Sequence, residues 1–392
     1  MTYCNVSDFL MTNAMTPAQL LTPGPTTIPQ RIIRAMERPQ LHHRSEEFKH
    51  ELREATEGMR WLLNWDSDPL MLACSGSGAM EASLLNTTQP GDEIVTVSAG
   101  VFGERWKAIG ERLGLVVHEI KVAWGEVLTA DTMSEYLCSR PHIRAVCMQH
   151  CETSTTVLHP LEEILPIIRQ QIPTALTIVD GISACVTAPL PGDSTLIDIY
   201  IAGSQKAFML PPGLSMVALS RSAWERVTQT PKRSLYFDFE LARKSLEATQ
   251  TPWTPAATLI VGLNEAIRIF KEEGLDNIYK RHNALSAIAR AALIKLGLQL
   301  VVEHHASPSV TGFYPPQGIG ADELRALILT KHGIRLAGGQ GAFKGKILRL
   351  GHMGSVSIEN LIDGLTAISS GIQELGASAS SIDLHALAQE YL

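Results

Sequence analysis

No uninterrupted apolar run in this sequence approaches the roughly 20 residues that a bilayer-spanning helix needs, so no membrane-spanning helix is expected. An excess of one charge is missing too. Lys and Arg number 33 against 40 Asp and Glu, a net charge of −7, and without a basic stripe a nucleic-acid surface is not expected. Cys4, Cys74, Cys138, Cys147, Cys151 and Cys185 contain no CxxC pair, and Cys147 and Cys151 have only His150 beside them. No zinc, nickel or iron–sulfur site is therefore expected, and reduced thiols in a cytoplasmic protein fit the pattern. Neither a Walker loop nor a GxGxxG fingerprint occurs, which argues against nucleoside triphosphates and NAD. The opening "MTYCNVSDFLMTNAMTPAQ" carries Asp8 and no basic start, so it reads as an arm rather than a secretory leader. The closing "EYL" is not the peroxisomal tripeptide.

What the sequence does contain is the raw material of about two domains in 392 residues. Short β-branched runs, "EIVTVSA", "LVVHEIKV", "IRAVCMQH", "ALTIVDG", "IDIYIAG" and "LSMVALS", alternate with amphipathic stretches such as "FGERWKAIGERLG" and "LEEILPIIRQQ". That alternation predicts an α/β fold with a mainly parallel sheet covered on both faces. From about residue 255 the pattern turns helical, then gives short strands at "LQLVVE" and "KILRLGH" and a closing helix from about 357. An arm over 1–20, a large domain over 21–274 and a smaller α+β domain over 275–392 follow as the expected organisation.

Three features carry chemistry. Ser75-Gly76-Ser77-Gly78 stands directly before a run of good helix formers, where free N–H groups and the helix dipole suit an anion such as phosphate. Asp180 ends the apolar run "LTIVD", placing a carboxylate at the carboxyl end of a buried strand, the edge where open α/β sheets bind ligands. Lys206 lies in "IAGSQKAFMLPPG", among small and apolar neighbours that strip water from an amine and favour its neutral, nucleophilic form.

In this order the three resemble the class V aminotransferases of fold type I, which carry pyridoxal 5′-phosphate, and within them the alanine:glyoxylate and serine:glyoxylate enzymes. The resemblance runs from "LTPGPTTIP" to "GKILRLGHMG" and rests most on "SGSGAMEA", "VDGISA" and "GSQKAFMLPPG". It implies a large domain built on a seven-stranded sheet sandwiched by helices. It makes Lys206 the imine-forming lysine and proton shuttle, and Asp180 the partner of the cofactor's ring nitrogen. Ser77, Gly78, Ala79 and Gln205 would hold the phosphate, and Ile182 would contact the cofactor. Phe102 would stack on the ring where relatives often have tryptophan, and Thr153, or Ser154 beside it, would meet the ring's phenolic oxygen. Pro23, Gly24, Thr153 and Arg349 would contact substrate, with Arg349 gripping the α-carboxylate. Thr254, and less directly Thr251, would reach the phosphate of a partner subunit, which implies a homodimer.

The expected activity is transfer of the amino group of L-alanine or L-serine to glyoxylate by a ping-pong mechanism. Phosphonate or ureidoglycine transamination stands as an alternative, and so does a non-catalytic subunit that keeps the fold. Cysteine desulfuration is disfavoured, because the last cysteine is Cys185 and the C-terminal third has none. A small neutral donor is favoured by the lack of an obvious second arginine for a distal carboxylate.

Overall fold

A computed structural model of the chain describes residues 18–391, so the expected arm, with Cys4, lies almost wholly outside the described residues. Seven strands form the central sheet, in the order Leu70–Leu72, Ser215–Leu219, Ile199–Gly203, Leu176–Asp180, Ala145–Gln149, Glu93–Ser98 and Val116–Lys121. Ser215–Leu219 is antiparallel to both its neighbours, and all other pairings are parallel. The central strands, from Ser215–Leu219 to Ala145–Gln149, are mostly apolar because both faces are buried, whereas the edge strand Val116–Lys121 carries His118, Glu119 and Lys121 and is partly exposed. In Ile199–Gly203, Ile199 and Ile201 pack with Ile94, Ile178 and Trp106, whereas Tyr200 and Ala202 pack on the other side with Val97, Val146 and Val179.

The amino edge of this sheet is closed by a satisfied buried carboxylate. Asp198 accepts from Thr177 N, Arg169 Nη2 and Ser220 Oγ at 2.8–2.9 Å. A surface cleft of ≈ 620 Å³ opens there, but it holds no lysine, and its Arg169 and Arg243 are occupied by Asp198 and by the Trp224 ring. Asp180, which ends its strand, and Lys206, just beyond the next one, lie at the opposite, carboxyl edge.

A second sheet has the order Gln19–Leu21, Ile334–Gly338, Leu348–Gly351 and Val310–Phe313, and its core gathers Leu21, Ile288, Leu350, Leu365 and Ile368. Helix Ala257–Glu273 packs into the large core through Ile260, Leu263 and Phe270. Gly274, at φ +83°, breaks the path, and helix Leu275–Lys295 delivers Leu285 and Ile288 to the smaller core.

Two local expectations need correction. Gln19–Leu21, assigned by sequence to the arm and the start of the large domain, is an edge strand of the second sheet, paired in parallel with Ile334–Leu336. The run "LQLVVE" keeps only an isolated bridge, Leu300 to Phe313, because Arg290 takes the carbonyls of Val302 and Glu303 that would continue a ladder.

Helix Val101–Arg112 lies so close to strand Glu93–Ser98 that a Cβ at Gly103 would stand 2.2 Å from Val97 O and 2.7 Å from Ser98 Cα. Gly103→Ala is therefore expected to lower stability by about 1–3 kcal/mol, read as a fall in the urea midpoint. An unchanged midpoint would show that the helix does not rest on that strand.

Candidate active site

The carboxyl ends of the parallel strands surround a cavity of ≈ 290 Å³, lined by Lys206, Asp180, Phe102, Arg105, Thr153 and Ser77 among others. Strand Leu176–Asp180 ends on its carboxylate and strand Ile199–Gly203 leads directly to Lys206, so neighbouring strands deliver the two charges to one edge. Both are buried. Burial pulls the Lys206 ammonium down to about 8 and lifts the Asp180 carboxyl to about 6, since each loses hydration in its charged form. Asp180 Oδ1 accepts from Ile182 N at 2.9 Å; among the described residues nothing donates to Oδ2.

The loop after Gln19–Leu21 reaches across to the lysine. Lys206 Nζ donates to Pro23 O, and Thr26 Oγ1 donates to Lys206 O at 2.8 Å. Gly24, at φ +111°, allows this approach: a Cβ there would lie 2.5 Å from Lys206 Cδ and 2.9 Å from Nζ.

Two helix N-termini face this edge, and they are treated oppositely. At helix Val101–Arg112, Glu152 fills the anion position: its buried carboxylate accepts from Phe102 N at 3.1 Å and Gly103 N at 2.9 Å. Ser154 completes the plug, donating to Glu152 at 2.5 Å while accepting from Val101 N at 3.0 Å. At helix Gly76–Thr87, Ser75 makes no side-chain cap and no acidic residue occupies the first turn. Its dipole and N–H groups are thus left for an external anion.

Most of the expected site residues meet here: Gly24, Ser77, Phe102, Thr153, Asp180, Ile182, Gln205 and Lys206 all line the cavity. Pro23 contributes through its carbonyl. Thr153 Oγ1 donates to Ser183 Oγ at 2.6 Å inside the cavity, whereas Ser154 is used by the Glu152 plug and does not line it. Arg349 is buried beside the cavity, with Nη1 on Thr153 O at 2.9 Å and Nε on Gly338 O at 3.0 Å. Burial lowers it to about 10, opposed by the Glu152 charge.

Gly78 and Ala79 do not line the cavity, a correction to their expected part in the phosphate cup. Their N–H groups both close on Ser75 O, at 2.9 and 3.2 Å, while Gly76 N and Ser77 N have no acceptor among the described residues. Gly78 has another task, since a Cβ there would meet Cys74 Cβ at 2.9 Å. Thr251 and Thr254 lie outside this cavity: Thr251 Oγ1 donates to Trp253 O at 2.7 Å, and Thr254 is exposed.

Sequence reasoning missed Glu152, Cys151, Ser183 and Arg105. Arg105 donates from Nη1 to Ser77 Oγ at 2.9 Å, and its guanidinium lies 4.9 Å from the Phe102 ring centroid. The i, i+3 spacing of Phe102 and Arg105 on a predicted helix was the available signal.

The family model described as "Aminotransferase class-V" matches residues 19–358. The chain is 37% identical to the soluble hydrogenase 42 kDa subunit of Anabaena cylindrica, covering 91% of this chain and 94% of that one. It is 32% identical to the L-aspartate–glyoxylate aminotransferase of Paracoccus denitrificans, covering 95% of each. The crystal structure of alanine–glyoxylate aminotransferase from Nostoc sp. superposes with a TM-score of 0.86 at 27% identity, over 95% of this chain and all of that one, 100%.

The cofactor of that family, pyridoxal 5′-phosphate, fits the residues present. The uncapped helix at Gly76 suits its phosphate, and Gln205, whose side-chain amide carries an N–H₂ donor, lines the same cavity. Asp180 Oδ2 suits a ring N–H, Phe102 offers a flat apolar wall, and Lys206 is an amine for its aldehyde.

Because the folded value of Lys206 lies below the ordinary 10.5, its neutral amine forms as pH rises through about 8. Uptake of pyridoxal 5′-phosphate by the cofactor-free protein should therefore accelerate with pH and level off above about 8, followed by absorbance. A rate still climbing about tenfold per pH unit between pH 8 and 9, as an ordinary lysine at about 10.4 would give, would contradict this.

Proposed function

The chain belongs to the class V aminotransferases and its cofactor is pyridoxal 5′-phosphate, and from that premise we propose that it moves the amino group of L-alanine or L-serine to glyoxylate. The observation that carries the reading is the convergence of a desolvated lysine, a strand-end carboxylate and a buried arginine on one cavity edge. When bound, the cofactor supplies an electron sink that protein side chains lack.

The chain's own residues supply the rest. Lys206 Nζ, with its depressed basicity, accepts and returns the proton at the substrate's α-carbon near neutral pH. Asp180, once its free Oδ2 faces a ring N–H, is held as a carboxylate and keeps that proton in place. Phe102 covers an apolar face, and Thr153 Oγ1 offers a hydroxyl at the ring's edge. Ser77 and the N–H groups of Gly76 and Ser77 receive the phosphate, with Gln205 beside them. Arg349 reaches the α-carboxylate with its uncommitted N–H groups, fixed by Thr153 O and Gly338 O.

The cycle belongs to a homodimer. Thr254 is exposed on its own subunit, next to an apolar face where Leu235 is 73% and Tyr236 50% exposed and the Trp253 ring stacks on Tyr236. Such a face suits a second copy, which would bring Thr254 to the partner's phosphate.

A dicarboxylate donor is the second reading. It is favoured by Arg105, an arginine in the cavity additional to Arg349 beside it, and by the name of the Paracoccus relative. The tether of Arg105 to Ser77, at the anion end, weighs against it. Donor-specific kcat/KM values with glyoxylate as acceptor decide. Alanine or serine should exceed aspartate and glutamate by at least about tenfold, roughly 1.4 kcal/mol in transition-state binding. Aspartate as the best donor would overturn the small-donor reading.

A further inference from the structure

We propose that Arg105 is a ligand of the cofactor's phosphate, so that the arginine inside the cavity is withheld from substrate. The inference rests on the cofactor of this site and not on the choice of amino donor.

Geometry places the guanidinium at the phosphate end. Nη1 donates to the hydroxyl of Ser77, a first-turn residue of the open helix, at 2.9 Å. The same guanidinium packs over Phe102 at 4.9 Å, and the two residues are three apart on helix Val101–Arg112. This contact fixes the fork beside the apolar wall rather than letting it sweep the cavity. The helix that carries both is itself fixed by the Glu152 plug.

Charge leads to the same assignment. A phosphate monoester carries about −1.5 to −2 at neutral pH, and a helix N-terminus offers about half a positive charge. The first turn of Gly76–Thr87 adds no ionised side chain, and Ser77 and Gln205 are neutral. Arg105 is the arginine at that end, and its Nη1 is held by the neutral Ser77 hydroxyl rather than by a carboxylate. Its fork can meet two phosphate oxygens at once, which an N–H group cannot. Arg349 is held apart, by Thr153 O and Gly338 O. The site thus offers one arginine for each anion: Arg105 in the cavity for the cofactor's phosphate, and Arg349 beside it for the substrate's α-carboxylate.

The test compares pyridoxal 5′-phosphate with pyridoxal, which lacks the phosphate, on the cofactor-free full chain and its Arg105→Gln and Arg105→Lys variants. Dissociation constants come from absorbance titration at fixed ionic strength, with urea midpoints recorded for each protein. Arg105→Gln should weaken pyridoxal 5′-phosphate by at least about tenfold and pyridoxal by less than about threefold, with Arg105→Lys between. Inorganic phosphate should compete with pyridoxal 5′-phosphate for the native protein and do so less well for Arg105→Gln. Equal losses for both ligands, or none, would overturn the proposal, as would variants that bind normally but lose only aspartate and glutamate turnover. If Arg105→Gln does not fold, the Arg105→Lys comparison decides by the same ratio. Failure of the native chain to bind either ligand would instead overturn the cofactor assignment itself.

Discussion

Holding a lysine amine out of water at the edge of a parallel sheet is the constraint around which this molecule is arranged. An ammonium buried alone is strongly unfavourable, so the fold must either pair it or let it lose its proton. Here it does some of each. Asp180 approaches from the neighbouring strand, Pro23 O accepts from Nζ, and burial leaves the amine near 8, within reach of neutrality at physiological pH. Glycine is required at residue 24 because the loop that brings Pro23 passes within van der Waals distance of the lysine stem.

The other charges follow from that placement. Two helices point their N-termini at the same edge, and the chain neutralises one internally and leaves the other open. Glu152 and Ser154 saturate the N–H groups at the head of Val101–Arg112, which fixes Phe102 and Arg105 in position. Thr153, between them in sequence, presents its hydroxyl to the cavity and its carbonyl to Arg349. A single tripeptide therefore ties together the helix that carries Phe102 and Arg105, a hydroxyl in the cavity and Arg349. Burial disfavours the Glu152 anion and holds its carboxyl above the usual range, and the four hydrogen bonds it accepts reduce that penalty.

Elements whose signal is local were legible in the sequence: the apolar strands, the uncapped Ser75-Gly76-Ser77 turn, and the polar residues Asp180 and Lys206 where apolar runs end. What escaped depends on distant partners. Glu152 reads as part of a polar turn until Gly103, 49 residues earlier, is brought against it. Gln19–Leu21 is too short to announce a strand, and its partner begins at Ile334. Arg105 looks like a solvated helix residue until Ser77 and Phe102 are seen beside it. Gly78 and Ala79 lie outside the cavity and turn their N–H groups to Ser75 O, a local closure of the first turn that residue order does not reveal. Thr251 and Thr254 lie away from the cavity, Thr251 bonded to Trp253 O and Thr254 exposed.

The central claim is that the charge of Asp180, delivered by its strand to a buried edge, is what makes the lysine site reactive. The direct measurement is the single-turnover rate at which L-alanine converts the bound cofactor, followed by absorbance, in the native protein and in Asp180→Asn. The amide keeps the shape and removes the charge, so cofactor should still bind while the rate falls at least about 100-fold, roughly 2.7 kcal/mol of barrier. A near-native rate in the cofactor-loaded variant would contradict the account.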